Sequence, residues 1–302
     1  MSIKRKRAAE FYLFISPWFV VFILLGLIPL LWGLYLSFTD YSGYNYATLR
    51  FVGWLNYKDV FTDPDAMAAL RRTLIITVIN VPLGTFIGFM LAVLLNNRLK
   101  GLSIYRTIFY LPSIIPVVAT GLMWKSIYAK QGGLLNNLLG LLHIHPVDWL
   151  GYDLSVSSLI IMLLWGAGGG LMIYLAGLKG VPQSLYEAAA IDGAKTVQKF
   201  RYVTVPLMTP VLFFNVIMGI IASLQILVQP MLLTPGNNGL ISEPIQPIYL
   251  YMVHAWLQIF DFQRFGYGLA MLWVLFVVVL ILSLIVFQTS KYWVYYESGE
   301  ER

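Results

Sequence analysis

Six stretches of this chain carry no charge near their centres and are long enough to cross hydrocarbon, which takes about 20 residues at helical rise. They fall at 11–38, 73–95, 103–128, 155–178, 203–229 and 267–288. In the third, Arg106 and Lys125 sit near opposite ends, where long side chains can snorkel to the interface. Apolar runs that recur from end to end predict one all-α integral membrane domain of six transmembrane helices. A further run at 245–260 contains Gln246, Pro247, His254 and Gln258. It is too short and polar for a comfortable span, and we read it as interfacial or re-entrant.

Composition excludes the soluble alternative. Of 302 residues, 59% are hydrophobic and 11% charged, against roughly a quarter charged in ordinary soluble domains. The mean hydropathy of +0.76 agrees. There is no cysteine, so disulfides and thiolate metal sites are out. Lys4, Arg5, Lys6 and Arg7 precede the first apolar run in the manner of a signal peptide. That run is too long for a signal h-region and no small-residue cleavage site follows it, so it is expected to be a true first helix.

Orientation is expected from Lys and Arg, which favour the cytoplasmic side. With the N-terminus inside, that face holds 13 of the 20 basic residues, Arg98, Lys100, Arg106 and Arg302 among them. Both termini are then cytoplasmic: a basic segment at 1–10, the helical domain at 11–290 and a tail at 291–302. The formal net charge of +6 suits anionic lipid headgroups better than nucleic acid.

One connection on the cytoplasmic side, 179–206, stands apart as long, charged and helix-like. Pro182 suits a first helical turn, Ser184 and Glu187 have capping-box spacing, and Gly193 permits a bend. The expectation is two short surface helices joined at that glycine, the second running to Pro206. Such a surface would contact a soluble partner.

Here the sequence resembles a known family. Glu187, Ala188 and Ala189, then Gly193, Val203 and Pro206, are similar to the EAA loop of ABC importer permeases, with valines at the last two apolar positions. The fuller run LYEAAAIDGAKTVQKF, with Ile191, Asp192 and Phe200, resembles the carbohydrate-uptake branch of maltose-type and glycerol-phosphate-type permeases. The stretches SPWFVVFILLGLIPLLWGLYLSFTDY, YRTIFYLPSIIPVVATGLMWKSIY and LIIMLLWGAGGGLMIYLAGLKGVP look like that branch's first, third and fourth helices. The extra N-terminal helices and large inserted domain of the maltose-type member are lacking.

The resemblance implies a type I ABC importer permease fold in a bacterial or archaeal cytoplasmic membrane. It implies a non-catalytic subunit that pairs with a second, homologous permease, two cytoplasmic ATPases and an extracytoplasmic solute-binding protein, and that carries a sugar or oligosaccharide by alternating access. ATP and Mg would be bound by the ATPases; no GxxxxGK[ST] phosphate loop occurs in the chain, and no cofactor is expected in it. Carried over, Glu187, Ala188, Ala189, Asp192 and Gly193 form the contact that couples ATP hydrolysis to transport.

Polar groups inside spans usually face a cavity or another helix. Asn215, Gly219 and Ser223 share one helical face, and with Trp165 and Gly166 they form the expected substrate path; Asn80, Gln225 and Gln229 draw notice for the same reason. Interhelical hydrogen bonding explains each of these polar groups equally well. Gly166, Gly168, Gly169 and Gly170 lie within a span, so close helix packing outweighs a dinucleotide loop. His143 and His145 lack a third ligand, and neither a metal site nor a catalytic group is expected. The rival reading, an ion-coupled secondary transporter or channel, would usually require an ionisable residue deep in a span, and no span centre has one.

Overall fold

The computed structural model describes residues 3–96, 101–234 and 243–295, and every regular element among them is helical. Arg98, Lys100 and Arg302 of the charge count, and the tail beyond residue 295, lie outside the described residues. Among the described residues, five helices are long and apolar enough to cross a membrane: Phe11–Ser37, Pro64–Leu95, Ser155–Gly180, Thr196–Leu224 and Phe265–Trp293. The remaining crossing is the pair Leu102–Ile114 and Val117–Tyr128, bent by 99°. The third span is therefore not the single helix that its apolar run suggests. Proline disfavours helical backbone at the residue before it, and both Ile115 (ψ 131°) and Pro116 (ψ 138°) are extended.

Other prolines are absorbed without a break. A proline inside a helix lacks an N–H and crowds the carbonyl four residues back. Ahead of Pro29 and of Pro206 the helix widens into a π turn, Phe22–Leu27 and Phe200–Thr204, in which Ile28 N–H bonds Ile23 and Val205 N–H bonds Phe200, five residues back. The extra residue per turn gives the proline room. Pro206 thus does not end a helix, contrary to the sequence expectation. The second half of the 179–206 connection is the first part of the fifth span, Thr196–Leu224. That span stops at Leu224, short of 229, and Gln229 belongs to a separate short helix, Val228–Leu233.

Two compact units can be described. The first comprises residues 1–67 with 255–276. Only 6% of the most apolar stretch of the first span is buried within the chain, a surface that water would not tolerate and hydrocarbon does. Asn56 stitches the following loop by donating to the carbonyls of Ser37 and Thr39, both at 2.8 Å. Tyr57 meets Ser37 Oγ at 2.7 Å, and burial raises its phenol above the ordinary value while that bond opposes the rise. Asp63 caps the second span through the amides of Asp65 and Ala66, with Pro64 at the first helical position. Its other oxygen accepts the Tyr267 hydroxyl at 2.7 Å.

The second unit comprises residues 68–254 with 277–302. Its core joins the second, fourth and fifth spans through Phe89, Leu95, Leu171, Tyr174, Leu178 and Met208. In lipid, helices associate through close packing, for which small residues are needed. A Cβ at Gly168 would stand 1.9 Å from the Phe109 carbonyl oxygen, one at Gly88 2.9 Å from that of Ala167, and one at Gly121 2.4 Å from Leu232. Within the glycine run of the fourth span, Gly166–Gly170, which is drawn into a 3-10 segment, Gly168 is thus the packing position.

The 245–260 run contains a helix of 10 residues, Tyr251–Phe260, about 15 Å long against ~30 Å of hydrocarbon. It does not span. His254 and Gln258 are buried, and Tyr251 N–H bonds Thr73 Oγ1 at 2.9 Å.

The glycines are not equivalent. Gly168→Leu should prevent the third and fourth spans from meeting and turn a monodisperse peak into aggregate in size-exclusion chromatography of the detergent-solubilised protein. Gly166→Ala, with nothing within 4 Å of its Cβ, should elute unchanged.

Candidate functional site

Two places in the second unit gather the residues that sequence singles out. The first is the connection between the fourth and fifth spans. Pro182 is the N-cap of helix Gln183–Ile191, and no side chain caps it, so the Ser184 and Glu187 capping box does not form. The other end is closed tightly. Gly193 has φ +77°; its N–H bonds the Ala190 carbonyl at 3.1 Å, and Ala194 N–H bonds that of Ala189 at 2.9 Å. This is the Schellman pattern, and it needs left-handed backbone that glycine supplies without penalty. Lys195 N–H then bonds Gln198 Oε1 at 2.7 Å, starting the next helix.

Glu187, Ala188, Asp192 and Gly193 are exposed, and Ala189 is half-buried. Leu185, Ile191, Val197 and Tyr202 are also exposed, Ile191 by 87%. A loop displaying this much apolar surface beside a carboxylate is shaped to be covered. Tyr186 OH lies 2.9 Å from Thr204 Oγ1, so the helix is fastened to the base of the fifth span.

The second place is a recess of about 380 Å³ among the second, fourth and fifth spans, a volume in the range of small-molecule sites, ~300–1,000 Å³. Its polar lining is Asn80, Thr85, Tyr174 and Asn215, with Gly84, Gly166, Gly170 and Gly219 leaving the space open. Asn215 spends its Nδ2 on the Val211 carbonyl at 2.8 Å. Its Oδ1 faces Gly170, where a Cβ would come to 3.0 Å. Asn80 Oδ1 is buried without a hydrogen-bond partner, a costly state for an amide oxygen unless something in the recess donates to it.

Of the expected path residues, Gly166, Asn215 and Gly219 meet here. Ser223 does not: its hydroxyl donates to Thr77 Oγ1 at 3.0 Å, an interhelical tie. Trp165 lines a neighbouring recess of about 150 Å³ with Gln229 and Thr120, and packs edge-on against Trp124 at 6.0 Å. Gly166 borders both. Sequence reasoning passed over Tyr174 and Thr85. The four-residue recurrence of Gly166, Gly170 and Tyr174 was the available signal, since it puts them on one helical face.

A bundle of membrane-crossing helices with a polar recess and an exposed helical connection defines a polytopic membrane transport subunit. The chain belongs to the family described as "Binding-protein-dependent transport system inner membrane component", which it matches over residues 84–292. It is 38% identical over 99% of its length and 96% of the relative's to "Probable ABC transporter permease protein YesP" of Bacillus subtilis (strain 168). It is 30% identical to "Lactose transport system permease protein LacF" of Rhizobium radiobacter, covering 96% of this chain and 97% of that one. With "Trehalose/maltose transport system permease protein MalF" of Thermococcus litoralis it shares 31% identity over 79% and 81% of the two chains. The fold matches a chain from the crystal structure of a bacterial ABC transporter involved in import of the acidic polysaccharide alginate, with a TM-score of 0.81, 20% identity, and 95% and 96% of the chains covered. The six-span, all-helical permease reading is borne out, and the protein is a multi-pass membrane permease subunit.

Gly193→Ala should cost about 1–2 kcal/mol at the helix end. Amide exchange at residues 193 and 194, followed by mass spectrometry, should quicken by about 5- to 30-fold while exchange in the fifth span stays unchanged.

Proposed function

We propose that this permease carries a sugar or oligosaccharide, delivered by a solute-binding protein, through an alternating-access cycle driven by separate ATPases. The observation that carries the reading is the exposed helix Gln183–Ile191, closed at Gly193, fastened to the fifth span and standing in a chain that belongs to a binding-protein-dependent transport family. The sugar class is supported by relatives named for lactose, for trehalose and maltose, and for arabinooligosaccharides.

In this reading the helix is the coupling element. Glu187 offers a carboxylate to a basic group in the ATPase, Ala188 and Ala189 permit close approach of the two surfaces, and Asp192 and Gly193 end the helix at the right length. Nucleotide-driven closure of two ATPases moves two such helices, one from this chain and one from a second, homologous permease. The recess of Asn80, Thr85, Tyr174 and Asn215 forms part of the cargo path, where amide and hydroxyl groups exchange hydrogen bonds with sugar hydroxyls. Trp165, in the adjoining recess, offers a ring face to a pyranose. ATP and Mg stay with the ATPases, both termini are cytoplasmic, and the binding protein docks on the opposite face.

The test is purification of the complex from its native operon, with mass spectrometry of what accompanies the chain. An ATPase and a second permease should copurify, and Glu187→Lys should abolish uptake of radiolabelled oligosaccharide while the protein still inserts. A chain that purifies alone and still transports would overturn the reading.

A further inference from the structure

The loop between the third and fourth spans lies at the other end of the fourth span from the coupling helix, and it contains a helix, Leu134–Leu141, with its polarity reversed. Asn136, on the inner side, is buried. Its Nδ2 donates to the carbonyls of Ala129, Lys130 and Val147 at 3.3, 3.2 and 2.8 Å. Its Oδ1 accepts from Val147 N–H at 2.9 Å and Trp149 Nε1 at 3.1 Å. The outer side presents Leu134, Leu138 and Leu141, continued by Leu142 and Ile144, all between 48% and 76% exposed. The 134, 138, 141 spacing is one helical stripe.

The hydrogen bonds also fix the height of this helix. Ser158, in the first turns of the fourth span, donates to the Trp149 carbonyl at 2.7 Å and accepts at its own carbonyl from Tyr128, the last residue of the third span, at 3.0 Å. Trp149 in turn holds Asn136. The leucine stripe is thus pinned to the ends of two membrane-crossing helices and packs beside Val117–Tyr128, whose Leu122 and Met123 are also exposed. The exposed charged side chains of the loop are the Lys130 and Asp148 pair at 3.1 Å and Asp153, none of them on the 134, 138, 141 stripe; His143 and His145, also exposed, follow the helix.

We propose that this helix is an interfacial anchor whose leucine stripe enters the lipid leaflet on that side of the membrane. The stripe stands at the end of two apolar crossings, next to the exposed Leu122 and Met123, and an interfacial helix buries its apolar face about 5–10 Å into the headgroup boundary. A protein that docks and leaves would meet a more polar surface, since such interfaces are only about as apolar as ordinary protein surface and carry many hydrogen bonds; the leucines at 134, 138 and 141 offer none. The loop above it is thereby held at a constant level while the spans move.

The chain has no cysteine, so single labels are straightforward. Leu138→Cys, Leu141→Cys and, as a water reference, Lys130→Cys carry a nitroxide in the permease purified with its companion subunits and reconstituted into vesicles of phosphatidylethanolamine and phosphatidylglycerol, with no soluble protein present. Power saturation should show the labels at 138 and 141 collided severalfold more often by oxygen, and severalfold less often by nickel-EDDA, than the label at 130. Equal nickel accessibility at all three positions would overturn the proposal and leave a soluble partner as the cover for the stripe. Measuring two exposed leucines independently guards against one label perturbing the helix.

Discussion

Hydrocarbon cannot hydrogen-bond a peptide group, and each feature of this chain answers to that fact. A backbone polar group left unsatisfied in lipid costs several kcal/mol, so prolines inside spans demand local repair. Ahead of Pro29 and Pro206 the repair is a π turn, and the helix survives. At Pro116 two extended residues end one helix and begin another. The distinction decides which spans are rods and which are hinged.

The same constraint governs how the spans pack. Without a hydrophobic drive between helices in lipid, contact must come from fit, and glycines supply it where a carbonyl or a leucine of the neighbour needs the room. Gly168 lies against the Phe109 carbonyl, which brings the broken third span to the fourth. Where glycines meet no neighbour, as at Gly166, they leave volume instead. The polar recess and the tight crossings are thus made of one residue type used in opposite ways.

Much of this was legible in the chain itself. Charge-free runs located the crossings because bilayer thickness fixes their length, and Glu187, Ala188, Ala189 and Gly193 marked the exposed connection. What could not be read were departures from regular helix. Whether a proline bends, breaks or is absorbed depends on the turn before it, so Pro116 and Pro206 look alike in sequence and act differently. Side-chain partners were also hidden: Ser223 reads as a lining residue by its spacing, but Thr77, 146 residues away in sequence, claims it. Tyr174 reads as an ordinary aromatic until the fold places it beside Asn215.

The fifth span merits a mechanical view. It begins at Thr196 beside the exposed connection and runs unbroken through its π turn to Leu224, a strut of 29 residues and about 44 Å. The Tyr186 and Thr204 bond joins the loop to this strut near one end, while Asn215 and Gly219 sit farther along it. A swing of a tenth of a radian about the loop end would displace the opposite tip by about 4 Å, given ~1.5 Å of rise per residue, and would sweep the wall of the recess with it. The chain has the geometry of a crank: a short handle in the exposed connection, and a long arm that forms one side of the recess.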